Sequence, residues 1–272
     1  MNIIITKDLH EYLQTIIIES IVFGSVARED VRDEHSDIDY MHIVKMHKSL
    51  ATSSVYCMHS LQYKEVDDNG KVIADHVYST IPQFIQGVIN SESMIPWECL
   101  FDGVFQENSI IKGLKKYQEL LISYKSARGL LGLAKRDLKD ASKYFNNNKH
   151  KCTKKIDFAV RSLDYCEWII QKNIDIKTPV YTNEEAYNWR NWIDDYQKFS
   201  YNLNKLNTKI EVFRTYINDM LNENKILYSC SMDTLQILHE KFLKDVEIID
   251  DNSNSLKIMD LYYKAAIENK FN

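Results

Sequence analysis

Glycine and proline are scarce here, seven and three among 272 residues. So few turn-formers argue against a loop-rich β protein and leave helices as the dominant element. Cysteine offers no framework either: Cys57, Cys99, Cys152, Cys166 and Cys230 are scattered, odd in number, and form no Cys-x-x-Cys pair. That pattern argues against a disulfide scaffold or a zinc site and fits thiols in a reducing compartment. No apolar run approaches membrane-spanning length. The apolar Ile3 to Ile5 is too short for a secretory signal, and Lys7 and Asp8 interrupt it. The expectation is a soluble cytoplasmic protein. An excess of positive charge is also missing, with 34 Lys and Arg against 39 Asp and Glu. With a net charge of −5 the chain has no general attraction for nucleic acid, so any such partner would need a local basic patch. Neither an internal repeat nor a low-complexity segment is present.

What the chain does have is concentrated between Ile21 and Val44, IVFGSVAREDVRDEHSDIDYMHIV. Ile17 to Phe23 is β-branched and apolar, as suits a buried strand. Gly24 allows a tight turn and close approach to the main chain. Ser25 falls where a short helix would begin, a place that favours an anion such as phosphate. A second strand follows over 36–44. Residues two apart on a strand share a face, so Asp37 and Asp39 present two carboxylates to one spot while Ile38 and Tyr40 point away. Two co-facing carboxylates beside a Gly-Ser turn describe a site for a hard divalent cation and a nucleoside triphosphate.

Gly24-Ser25, eleven intervening residues, then Asp37-x-Asp39 resembles the signature of the DNA polymerase β-type nucleotidyltransferase superfamily. The resemblance implies a third carboxylate on a neighbouring strand, best matched by Asp75 in KVIADHVYSTIPQF, ahead of a helix and the stretch IPWECLF. That order is similar to the RNA-ligase-associated branch found in bacteria and their phages. It implies Asp37, Asp39 and Asp75 as catalytic, metal-binding residues for Mg2+ or Mn2+. Gly24 and Ser25 would lie on the phosphates of an NTP. Glu65, Asp67 and Asp68 are rival third acids, although Asp67 and Asp68 are better explained as turn formers beside Asn69-Gly70. A calcium loop built on Asp33, Asp37 and Asp39 fails because no Gly or closing Glu falls at the required offsets.

The remaining pattern sets the architecture. Leu9, Tyr12, Leu13 and Ile16 give a first helix packed under a sheet. The segments 61–66 and 71–78 flank Asp67-Asp68-Asn69-Gly70, a hairpin signal resting on positive φ at Asn-Gly. Pro82 and Pro96 open two helices. Past residue 110 the pattern is helical. Leu130, Leu131, Ala134, Leu138, Ala141 and Phe145 form one stripe, and Ile156, Ala159, Val160, Leu163 and Ile170 another. From Trp189 through Trp192, Tyr196, Phe199, Leu203, Leu206, Ile210, Phe213, Ile217 and Met220, alternating steps of three and four predict one long helix, a seam that can also join two copies as a homodimer. Shorter helices are expected over 235–246 and 256–267. The fold class is α+β: a small mixed sheet of the nucleotidyltransferase type with flanking helices (1–110), followed by an all-α helical domain (111–272).

Lys135, Lys139 and Lys143 with Arg136, and Lys151, Lys154, Lys155 and Arg161, form two basic groups. They read first as solvated faces balanced by Asp137, Asp140 and Asp157. Trp189, Trp192, Tyr196 and Phe199 read as core rather than as a base-stacking series. His35 and His42 flank the carboxylates. The expected activity is transfer of a nucleoside monophosphate from an NTP to an acceptor hydroxyl. The resemblance favours RNA, with a protein or small-molecule hydroxyl open. The alternatives are a non-catalytic, antitoxin-like regulatory protein acting through its long helix, and a sensor that grips a triphosphate without turning it over.

Overall fold

A computed structural model describes residues 3–27, 37–45, 61–107, 109–116, 118–171 and 191–222. Five strands form one mixed sheet: β1 (Ile3–Ile4), β2 (Ile17–Phe23), β3 (Ile38–Val44), β4 (Leu61–Val66) and β5 (Val72–Ser79). Their spatial order is β1-β4-β5-β3-β2. The β1/β4 and β3/β5 pairs are parallel; β2/β3 and β4/β5 are antiparallel. Helix α1 (Lys7–Gln14) and the short turn of helix α2 (Gly24–Ala27) flank β2. They are followed by α3 (Ile81–Asn90), α4 (Ile95–Asp102), α5 (Ile110–Lys115), α6 (Gln118–Leu121), α7 (Tyr124–Tyr144), α8 (Lys149–Gln171) and α9 (Tyr196–Asn222).

The described residues group into two compact units, one of residues 3–86 with Glu98–Lys116, the other of Gly87–Trp97 with residues 118–222. In the sheet unit, alternation along each strand gives two faces. Ile21, Phe23, Met41, Ile43 and Val77 are buried on one of them. Across the other lies α1: His10 stacks on Tyr63 with ring centroids 3.9 Å apart, and Gln14 Nε2 donates to the Tyr78 hydroxyl at 2.6 Å. Both edges are abbreviated. β1 has two residues, and the outer edge of β2 is bridged where Val104 N–H donates to the Val22 carbonyl at 2.9 Å. Buried Glu19 ties that edge to α5, its Oε2 accepting from the N–H groups of Ile110 and Ile111 at 2.9 and 3.3 Å.

The β4–β5 hairpin turns by a different device from the one its Asn-Gly predicts. Gly70 alone has a positive φ (79°), and Asn69 does not. The Asp67 carboxylate accepts from the Asn69 and Lys71 N–H groups at 2.9 and 2.8 Å, which holds the loop from inside.

In the helical unit, the Ser123 side chain caps α7 in a reciprocal box with Ser126. Ala141, Phe145, Cys152, Ile156, Val160, Ile193 and Phe199 form one buried cluster, with Trp192, Leu203 and Leu206 packed on it. The long helix starts later than its apolar spacing predicts. A turn at 193–194 interrupts the helical pattern, and α9 begins at Tyr196, where the Asp195 carboxylate accepts from Gln197 N–H at 2.8 Å. Tyr196 is therefore exposed rather than part of the stripe. Trp189 and the two C-terminal helices lie outside the described residues. Among the described residues no helix is long and apolar enough to cross a membrane.

Candidate metal centre

Strand register builds the site. Asp39 on β3 stands beside Asp75 on β5 in the parallel ladder, and Phe23 on β2 stands beside Asp39 on the other side. Asp39 and Asp75 therefore project from the same face of adjacent strands, Asp39 near the start of β3 and Asp75 midway along β5. Asp37 comes one residue before β3 begins. One carboxylate oxygen from each of Asp37, Asp39 and Asp75 lies within 4.8 Å of those from the other two. All three side chains are half-buried.

Gly24 follows Phe23 directly and has φ of 75°. A Cβ at this position would collide with the Asp39 carboxylate. The absent side chain is thus what gives Asp39 its place, and the left-handed backbone is one that glycine adopts without strain. Ser25 stands in the single turn of α2, half-buried beside it.

Asp75 is asymmetric. Its Oδ2 accepts from Gln62 Nε2 at 2.5 Å, whereas Oδ1 is buried and has no hydrogen-bond partner among the described residues. A buried carboxylate oxygen without a donor carries a desolvation cost of about 1–3 kcal/mol or more unless something satisfies it. Three converging carboxylates repel one another as well. A divalent cation answers both problems, and an all-oxygen donor set suits a hard ion such as Mg2+ or Mn2+. The residues fit such an ion.

Two of the rival acids are otherwise engaged. Glu65 pairs with His76 at 3.3 Å on the opposite face, and Asp67 is occupied by its turn. Asp33 and His35 are outside the described residues, as are Arg28 and Arg32. His42 turns away from the carboxylates into a chain of bonds. Ser20 Oγ lies 2.8 Å from His42 Nδ1, His42 Nε2 lies 2.9 Å from His76 Nδ1, and His76 Nε2 meets Glu65. With Glu65 accepting at its end, the chain is satisfied when His76 and His42 carry their protons on Nε2 and Ser20 donates. Burial, with help from His76 and His10, pushes His42 down to about 3. Burial likewise raises the Cys99 thiol well above its ordinary value, with Glu98, Asp39 and Asp102 adding to the effect. That makes Cys99 an inert core thiol rather than a nucleophile. Cys152 and Cys166 are also buried and free.

The basic groups of the helical unit are largely engaged within it. Lys155 pairs with buried Asp137 at 2.7 Å, Arg161 with Asp157 at 3.0 Å, Lys143 with Asp140 at 2.7 Å and Lys135 with Glu211 at 3.4 Å. Phe199 is core and Trp192 packs against it.

Two features escape sequence reading. Gln62 is one. On the opposite face the ring stack of Tyr40, His42, His76 and Tyr78 also goes unread, signalled only by alternation of ring residues in 40–42 and 76–78. No family model and no curated protein sequence matches this chain. Among solved structures, the chain is similar to a nucleotidyltransferase-like protein from Exiguobacterium sibiricum 255-15. The identity is 10% and the TM-score 0.31, over 78% of this chain and 72% of that one. So slight a likeness leaves the functional reading to rest on the carboxylates themselves.

Proposed function

We propose that this chain is a metal-dependent nucleotidyltransferase that moves a nucleoside monophosphate from an NTP to an acceptor hydroxyl. The supporting observation is the meeting of Asp37, Asp39 and Asp75 beside Gly24, with one buried Asp75 oxygen unsatisfied. Those three side chains would hold the ion, which would supply charge neutralisation at the phosphate oxygens and the departing pyrophosphate. Gly24 keeps the strand end open, and Ser25 with the adjacent amides receives the terminal phosphates. The acceptor oxygen attacks the α-phosphorus as the bond to the bridging oxygen of the β-phosphate breaks. Pyrophosphate departs, and the hydroxyl proton passes to solvent. The resemblance to the RNA-ligase-associated branch, carried by the order of Asp75, a helix and IPWECLF after the Asp37-x-Asp39 motif, favours an RNA end as acceptor.

The test is incubation with each α-labelled NTP, Mg2+ and an RNA pool. Label enters RNA with the native chain, and Asp37→Asn and Asp39→Asn each reduce transfer by at least about 100-fold. Saturable NTP binding without transfer to RNA, protein or small molecules would replace the transferase with a sensor. An absence of both would remove the nucleotide from the account altogether.

A further inference from the structure

We propose that Gln62 is the positioning residue of the carboxylate site, holding Asp75 so that one oxygen alone faces the ion. The inference rests on the metal-site reading above and deepens it. Gln62 lies on β4, two positions along from the residue directly opposite Asp75; its own ladder partner is Val77. From there its amide reaches diagonally across the same face to Asp75 Oδ2 at 2.5 Å. Its backbone is fixed on both sides. β1 runs parallel to it with Ile4 in register, and the Gln62 carbonyl accepts from Ile5 N–H at 2.9 Å. A two-residue strand would do little for sheet stability by itself. Here it fixes the residue that aims a ligand.

The chemistry of the bond limits what Asp75 does. An amide N–H satisfies an ionised carboxylate without cancelling its charge, so the full negative charge stays available to a cation. Lys64, directly opposite Asp75 in the ladder, would neutralise it in that role, yet Lys64 is exposed and the bond to Oδ2 is made by Gln62. With Oδ2 occupied, Oδ1 is the remaining oxygen, buried and without a hydrogen-bond partner. Asp75 is therefore a one-oxygen ligand. A base able to take the acceptor's proton while ligating an ion would use its second oxygen, and in Asp75 that oxygen already accepts from the Gln62 amide.

The experiment titrates Mn2+ alone into the native chain, Asp39→Asn, Gln62→Met and Gln62→Glu. Electron paramagnetic resonance reads the affinity, and the hyperfine signal of bound water protons reads how many waters the ion keeps. Methionine matches the length of glutamine without a donor; glutamate matches its shape with the donor replaced by an acceptor. Gln62→Met is expected to weaken Mn2+ binding by about 10–100-fold and to add one bound water where Asp75 Oδ1 lets go. A general loosening of the sheet would not produce that added water. Gln62→Glu is expected to weaken binding further through like charge beside Asp75, and it serves alone if the methionine variant fails to fold. Binding in either folded variant that is unchanged or tighter, with the native water count, overturns the role given to Gln62. If the native chain and Asp39→Asn bind Mn2+ alike, the metal site itself falls, an outcome recognisable before any Gln62 variant is compared.

Discussion

His42 carries a proton debt that shows in stability. Its ring is buried between Ser20 and His76, and burial lowers it from 6.5 to about 3. Above pH 6.5 the ring is neutral in folded and unfolded chains alike, and the fold keeps its full stability. As the pH falls from 6.5 towards 3, the unfolded chain binds the proton and the folded chain does not, so stability declines across that window. The loss is on the order of several kcal/mol at its limit. His42→Phe is expected to flatten this part of the acid limb even if it lowers stability at neutral pH, as measured by urea unfolding at stepped pH. An unchanged slope would move the acid sensitivity to other groups. At this same scale, the spacing of Gly24, Ser25, Asp37 and Asp39 is visible in the sequence because turn and strand geometry fix it locally. Gln62 and Glu19 are not visible. Their partners lie 13 and 91 residues away, and no local pattern says which strands become neighbours.

Among the elements, α5 shows how side-chain caps hold a short helix. It has six residues, too few to persist unaided. Ser109 caps it by accepting from Lys112 N–H at 2.9 Å, and Glu19 takes the two N–H groups at its start. Glu19→Leu leaves those donors without an acceptor in a buried place and is expected to cost about 2–4 kcal/mol. Denaturant unfolding reads the cost, and amide exchange reads lost protection at Ile110 and Ile111. The strands over 17–23 and 61–66 are legible because β-branched runs and turn residues bound them. The start of α9 is not, since its apolar spacing continues through a turn that the Asp195 cap creates. Periodicity finds a face; the capping bond decides where the helix begins.

For the molecule as a whole, the three carboxylates set a conflict between folding and function. Without a cation they repel across less than 4.8 Å, so the apo chain is held below the stability its core would support. Asp39→Asn is therefore expected to melt higher than the native chain in chelator. Added Mg2+ or Mn2+ reverses the order by raising the native melting temperature alone. At a hundredfold excess over the dissociation constant the ion contributes about 2.7 kcal/mol. Calorimetry in chelator and in metal tests both halves. Equal melting of the two proteins in both conditions would separate these acids from any ion.

The margins of the sheet bear on how crowded solutions treat this protein. A long bare strand recruits strands from neighbouring chains and seeds insoluble assemblies. Here one margin is two residues long. The other is broken by a register shift near Ile17 and bridged at Val22 by Val104. Among the described residues, β1 covers the first two residues of β4, and the outer edge of β2 is interrupted at Val22. The device that closes the outer strand thus also guards against precipitation, and replacing Val104 with proline, which has no N–H to donate, exposes the Val22 carbonyl to that hazard.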